Sequence, residues 1–208
     1  MSETATGHLR FIEGYLSEAR GLAQGISPRD IDAIIQVLND AWMRDATVFT
    51  AGNGGSASTA SHFAADLNKY TSSKADHRFR ALCLNDNVTL VSALTNDDGW
   101  DNVYSYQLDS FMREGDVLVA FSVHGGSGGD NAGEWSQNLL KAARVVKEKN
   151  GRLLAFVGFD GGVLHKIADA SVLVPANSTP QVEGFHLVLT HLIAARLKQA
   201  IGDQDQRV

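Results

Sequence analysis

Two kinds of apolar spacing alternate along the chain and sort it into helices and strands. Over residues 5–24, Leu9, Ile12, Leu16, Ala19 and Ala23 recur at helical intervals with polar residues between them, which predicts an amphipathic helix. Ser27-Pro28-Arg29-Asp30 then supplies an N-cap, a proline at the first helical position and an acid in the first turn, ahead of Ile31, Ile34, Ile35, Leu38 and Trp42 at the same spacing. A second amphipathic helix is predicted there. Two helices ahead of any strand can cap a sheet or lay their apolar faces on a second copy of the chain; residues 1–45 are read as a helical hairpin used in the second way.

Beyond residue 46 the pattern changes to short apolar runs. Thr47 to Thr50, Phe79 to Leu84, Val117 to Phe121, Leu153 to Val157 and Ser171 to Val174 read as strands. Between them lie helical stretches: an alanine-rich one opened by Ser56, Val88 to Leu94, Val103 to Met112, Glu134 to Lys149, a short one after Gly162, and a last one from about Thr179 to Ala200. Asn96-Asp97-Asp98-Gly99 is expected to break the chain. Strands alternating with helices predict an α/β fold, a parallel sheet with right-handed crossovers and helices on both faces.

Ligands of such sheets bind at the carboxyl ends of the strands. Two glycine loops fall there, Gly52-Asn53-Gly54-Gly55 and Ser122-Val123-His124-Gly125-Gly126-Ser127-Gly128-Gly129, each directly after an apolar run. Glycine permits close backbone approach, and a helix start favours an anion, so a phosphate is the natural guest. No Lys follows the glycines as a P-loop requires, and the spacing is not G-x-G-x-x-G, so neither common nucleotide fingerprint applies.

At 208 residues the chain is one domain, 1–208. Its formal charge of -6 without a basic cluster argues against a nucleic-acid partner. The single Cys83 excludes an intramolecular disulfide and suits a reducing compartment. No stretch reaches membrane-spanning length and no signal peptide is visible at the N-terminus, so a cytoplasmic location and no membrane partner are expected.

Four segments together carry a resemblance: AGNGGSAS at 51–58 with HFAAD at 62–66, FSVHGGSGG at 121–129, GFDGG at 158–162, and VEGFHLVLTH at 182–191. On these the chain resembles the sugar isomerase (SIS) domain family, and within it the phosphoheptose isomerase branch, over nearly its whole length. The resemblance implies a three-layer sandwich of flavodoxin-like type with a five-stranded parallel sheet and a homotetramer with active sites between subunits. The activity implied is interconversion of sedoheptulose 7-phosphate and D-glycero-D-manno-heptose 7-phosphate through an enediol. Isomerisation of another sugar phosphate, and a non-catalytic adaptor of the same fold, are the alternatives.

Carried over residue by residue, the resemblance assigns substrate binding to Asn53, Gly54, Gly55, Ser56, Asp97, Ser122, His124 and Ser127. It gives the proton-transfer roles to Asp66 and His191. Some members of the family hold zinc, and the matching ligands here are His62, Asp66, Glu183 and His191. His62 and Asp66 stand at i and i+4, neighbours on one helix face. The chain departs from the family at Asp66 and Glu183, where Glu and Gln are usual, and at Val123-His124, where the second loop usually reads Ser-Thr-Ser-Gly-Asn-Ser. Moving a proton between adjacent carbons needs a base for carbon, an acid for oxygen and stabilisation of the charge that develops. His186 is read as a residue of a subunit interface.

Overall fold

The computed structural model describes residues 3–72, 77–126 and 135–205. Five strands form one parallel sheet: β1 (Thr47–Gly52), β2 (Arg80–Cys83), β3 (Val117–Ser122), β4 (Arg152–Val157) and β5 (Ala170–Leu173), in the order β2-β1-β3-β4-β5. β3 is buried along its whole length, as a central parallel strand covered on both faces must be. The order reverses between β1 and β3, which opens a crevice at their carboxyl ends. Gly52 pairs with Phe121 and Ser122 with Val157, so β1, β3 and β4 end level with one another.

Helices cover both faces. On one lie α2 (Pro28–Met43), α3 (Gly55–Ala65) and α8 (Thr179–Asp205), whose Ile34, Leu38, Phe63, Leu189, Ile193 and Leu197 share a core with β1, β3 and β4. On the other lie α5 (Ser105–Phe111), α6 (Gln137–Glu148) and α7 (Gly162–Ile167), with Leu108, Leu139, Val146 and Leu164 in a second core. The capping predicted for α2 is present: Ser27 accepts from the Asp30 amide and Pro28 stands at the helix start. The leading pair nevertheless divides. α2 belongs to the cover of its own sheet, whereas α1 (Glu3–Gly25) meets that core only near its end, at Leu22, and leaves Phe11 73% and Leu16 64% exposed.

Two boundaries differ from expectation for local reasons. α4 (Val88–Asp98), capped by Asn87, runs through Asn96 and Asp97 and ends only at Gly99, φ 85°; exposed Asn and Asp weaken a helix less than Gly does. β2 is an edge strand rather than a buried one, with Leu82 54% exposed. Its outward backbone is answered by Asn68, whose side-chain amide donates to the Ala81 carbonyl at 2.8 Å and accepts from the Ala81 N–H at 3.0 Å. Asn68 lies in the π-helical turn Asp66–Tyr70 that continues α3.

At the carboxyl edge the loops after β3 and β4 interlock through backbone. The Gly158 amide donates to Val123 O at 3.0 Å and the Leu164 amide to Gly125 O at 2.8 Å. Gly125 has φ 66°, and a β-carbon there would collide with the Gly161 carbonyl. Gly125→Ala therefore meets strain and a backbone clash together, and is expected to lower unfolding free energy by more than about 2 kcal/mol, seen as a lower denaturant midpoint at unchanged slope.

Candidate active site

α3 crosses α8 through Phe63 on one and Leu189 and Ile193 on the other. The crossing brings His191 against His62 and Asp66, which share one face of α3 and its continuation. His62 Nε2 and His191 Nε2 lie 2.8 Å apart, and Asp66 Oδ2 lies 3.5 Å from the first and 3.7 Å from the second. Asp66 Oδ2 is buried and accepts no hydrogen bond from any described residue. Both imidazoles are about half exposed, at 48% and 54% of their side chains, so the cluster stands at the wall of an open cavity. That cavity, of about 500 Å³, is lined by Asp66, Tyr70, His191, Leu192 and Ala195.

Two imidazoles and one carboxylate converging on a point are a donor set for a divalent cation, and among the described residues His62, Asp66 and His191 are the cluster of that kind. The buried oxygen without a partner fits that use, since a carboxylate normally finds donors when desolvated. Glu183 is not part of the cluster. Its carboxylate sits against Gly55 at the start of α3, where a β-carbon would lie 2.5 Å from either oxygen. Eight residues of α8 separate Glu183 from His191, a rise of about 12 Å, so one meets the first turn of α3 and the other its end. A carboxylate at a helix N-terminus is favoured by the dipole.

A second, smaller cavity of about 110 Å³ lies at the mouths of β1 and β3, lined by Asn53, Ser56, Phe121, Ser122, Val123, His124 and Ser136. Its size suits a phosphate group. Ser122 Oγ accepts from the Gly125 amide at 3.0 Å and lies 3.4 Å from Ser136 Oγ. Ser136 precedes α6 in left-handed backbone, φ 60°, a conformation costing on the order of 1–3 kcal/mol for a residue with a β-carbon. The sequence reading missed Ser136, and its one local signal was a serine just ahead of a helical apolar pattern. Ser127, which that reading chose, lies outside the described residues.

The first glycine loop is held rigid from behind. Asn53 and Asn138 exchange two amide hydrogen bonds of 2.9 Å, and the Tyr104 hydroxyl lies 2.6 Å from Gly52 O and 3.0 Å from Asn53 Oδ1 while accepting from Asn85 at 2.8 Å. Burial pushes the Tyr104 hydroxyl up to about 12, so it stays neutral. Gly54, φ 57°, makes the turn, and the Ser56 and Ala57 amides bond back to Asn53 O and Gly54 O at 3.0 and 3.1 Å. Those two amides are engaged, and the Ser56, Ser122 and Ser136 hydroxyls are among the polar groups that line the cavity. Asp97 joins neither cluster; exposed on α4, it accepts from Asn96 at 2.6 Å.

The chain belongs to the SIS domain family, whose profile matches residues 14–158. It is 43% identical over 186 residues to the lincomycin biosynthesis protein LmbN of Streptomyces lincolnensis, across 88% of this chain and 66% of that protein, and so spans just under two thirds of that relative's length. It is 30% identical over 191 residues to a phosphoheptose isomerase of Geotalea daltonii, across 91% of this chain and 93% of that one. Among solved structures, phosphoheptose isomerase GmhA from Neisseria gonorrhoeae superposes with a TM-score of 0.81 at 25% identity, across 92% of this chain and 98% of that one.

His186 is a core residue of the monomer rather than a surface one. It is fully buried between Phe121 and Phe156, ring centroids 6.2 and 6.0 Å away, and among the described residues neither ring nitrogen has a partner in good hydrogen-bond geometry. Burial lowers its pKa from 6.5 to about 4, against a smaller opposing effect of the Val157 backbone. The unfolded chain then binds a proton below pH 6.5 that the fold refuses until about pH 4, so stability is full above 6.5 and falls as pH drops through that window. In chelator, wild type is expected to lose about 2 kcal/mol more between pH 7 and pH 5 than His186→Leu does, measured by denaturant unfolding at each pH.

Proposed function

We propose that this chain is an aldose–ketose isomerase of a phosphorylated sugar, interconverting sedoheptulose 7-phosphate and D-glycero-D-manno-heptose 7-phosphate. The observation that carries the reading is the Asp66 carboxylate, with a buried oxygen facing two imidazoles, on the turn that continues the helix bearing Ser56 of the phosphate-sized cavity. The similarity to phosphoheptose isomerases across most of both chains supports it. Ser56 and His62 are separated by six residues of α3, a rise of about 9 Å. With carbon–carbon bonds of about 1.5 Å, an open sugar chain of roughly seven carbons spans that interval.

In this mechanism the serine hydroxyls hold the terminal phosphate and leave C1 and C2 at the cluster. Asp66 takes the proton from C1 while His191 gives one to the C2 oxygen, which produces the enediol. Return of the O1 proton to His191 and delivery of the Asp66 proton to C2 yield the aldose. A divalent ion, zinc by its ligand set, would be held by His62, Asp66 and His191 and would supply Lewis-acid polarisation of the carbonyl in place of the His191 proton. Asp66 has a second oxygen, Oδ1, which serves as the base when Oδ2 is engaged.

We further read the protein as a cytoplasmic homotetramer. The apolar stripe of α1 and a groove of about 500 Å³ between the leading helices and α8, lined by Ile31, Ile35, Phe185 and Val188 among others, support self-association. No helix among the described residues is long and apolar enough to cross a membrane. A second reading, isomerisation of a different sugar phosphate, is favoured by Val123 and His124 in the small cavity and by the 43% identity to a protein named for lincomycin biosynthesis. A non-catalytic adaptor has no need of the three-residue cluster.

Turnover of sedoheptulose 7-phosphate by the purified protein tests the reading, beside a panel of other ketose phosphates. Asp66→Asn and His191→Ala are each expected to lower kcat about 100-fold or more while circular dichroism and thermal melting stay near wild type. Chelation is expected to lower turnover and added zinc to restore it. A wild-type protein inactive on every sugar phosphate with zinc present sinks the isomerase.

A further inference from the structure

The wall of the small cavity contains one side chain whose surroundings are more constrained than its position in a loop requires. His124 packs at a tilt against Phe159, centroids 4.2 Å apart at 43°, and edge-on against Trp135 at 5.1 Å and 65°. Phe159 itself has φ 52°, left-handed backbone that glycine adopts freely and phenylalanine does not. Three backbone bonds hold it there: Gly158 N–H to Val123 O at 3.0 Å, Phe159 N–H to Ala176 O at 3.1 Å, and Gly161 N–H to Gly158 O at 2.8 Å. Glycine at position 159 would satisfy all three without strain. What phenylalanine adds at that position is a ring that contacts His124 on one side and packs against the edge of the core beneath α8 on another.

The imidazole is also polarised in its use. Nδ1 is buried and has no hydrogen-bond partner among the described residues. A neutral imidazole carries its proton on one nitrogen and a lone pair on the other. A buried acceptor without a partner is tolerated more often than a buried N–H without one, so the proton belongs on Nε2. The cavity lining otherwise offers hydroxyls and the Asn53 amide, with no Lys or Arg among the described residues that line it.

We propose that His124, clamped between Phe159 and Trp135, is a fixed Nε2–H donor to a phosphate oxygen and a specificity determinant of this cavity, with Phe159 as its positioning residue. The inference rests on the phosphate-binding part of the reading above, not on the isomerisation. A hydrogen bond from a neutral donor to an anion then replaces the small hydroxyl of a serine-rich loop. Its rigidity sets where the phosphate stops and, through the length of the sugar, which carbons reach Asp66.

The test measures the dissociation constant of inorganic phosphate by calorimetry and KM and kcat for sedoheptulose 7-phosphate, in wild type, His124→Ala, His124→Gln, His124→Asn and Phe159→Gly. His124→Ala is expected to weaken phosphate and raise KM about 10- to 100-fold with kcat little changed. His124→Gln, whose amide nitrogen reaches as far as Nε2, restores most of that loss; His124→Asn, which reaches only as far as Nδ1, does not. Phe159→Gly relaxes the backbone but gives up a ring packed on the core, so it is expected to weaken phosphate several-fold at temperatures where the protein is still fully folded. Nitrogen-15 spectra of labelled histidine place the His124 proton on Nε2. Phosphate binding unchanged in His124→Ala, a proton on Nδ1, or no phosphate binding by wild type each overturns the proposal. Wild type that binds phosphate but turns over no sugar, with His124→Ala still deficient in phosphate binding, removes the isomerase and leaves the donor standing.

Discussion

Residues 129 positions apart in the chain meet at 2.8 Å because α3 and α8 bury apolar side chains against each other over the same face of the sheet. Everything chemical at the larger cavity depends on that contact. Phe63 and Leu67 point into the core from the turns that present His62 and Asp66 outward, and Leu189 and Ile193 flank His191 in the same way. The polar cluster is thus the solvent-facing side of a hydrophobic crossing. Removing a core side chain at the crossing acts on the cluster by moving it, which is why small displacements in packed helices have large effects on proton transfer.

The small cavity is built on a different principle. Its polar groups sit where β1 and β3 pass into their loops and where α3 and α6 begin, and the loops are fixed by hydrogen bonds to other segments of the chain. Asn138, Tyr104 and Asn85 fix the loop after β1, the Gly158 and Leu164 amides fix the loop after β3, and strained backbone at Phe159 is held by the bond from its amide to Ala176 O. Donors that are already in place lose little freedom when an anion arrives, so neutral groups can hold one without a lysine or arginine. The two cavities share α3, and its rigidity sets the distance between them.

Much of this was legible in the sequence. Apolar spacing placed every strand and helix of the sheet, because parallel strands buried on both faces leave continuous apolar runs and amphipathic helices leave periodic ones. The pair His62 and Asp66 was legible because four residues make one helical turn. Harder to read was which surface an apolar face meets: Ile34, Leu38 and Trp42 look the same whether they cover their own sheet or a partner, and His186 looks the same in a core as at an interface. Glu183 went astray for a similar reason, since its fixed rise from His191 allows either end of α3 and only the crossing geometry selects one. The network of Asn53, Asn85, Tyr104 and Asn138 joins residues up to 85 positions apart and leaves no local pattern. Ser136 was concealed by the long glycine-rich segment that separates it from Ser122.

The edge of the sheet carries a consequence for life in a crowded solution. A four-residue strand at the margin offers its outward N–H and C=O groups to any extended chain that drifts past, and such pairing seeds aggregates. Here the centre of that margin, Ala81, is already occupied by both halves of the Asn68 amide. A side chain from the turn that follows the Asp66 carboxylate imitates a sixth strand for the length of one residue. The same turn of chain that carries the Asp66 carboxylate therefore also shields β2 from recruiting a neighbour.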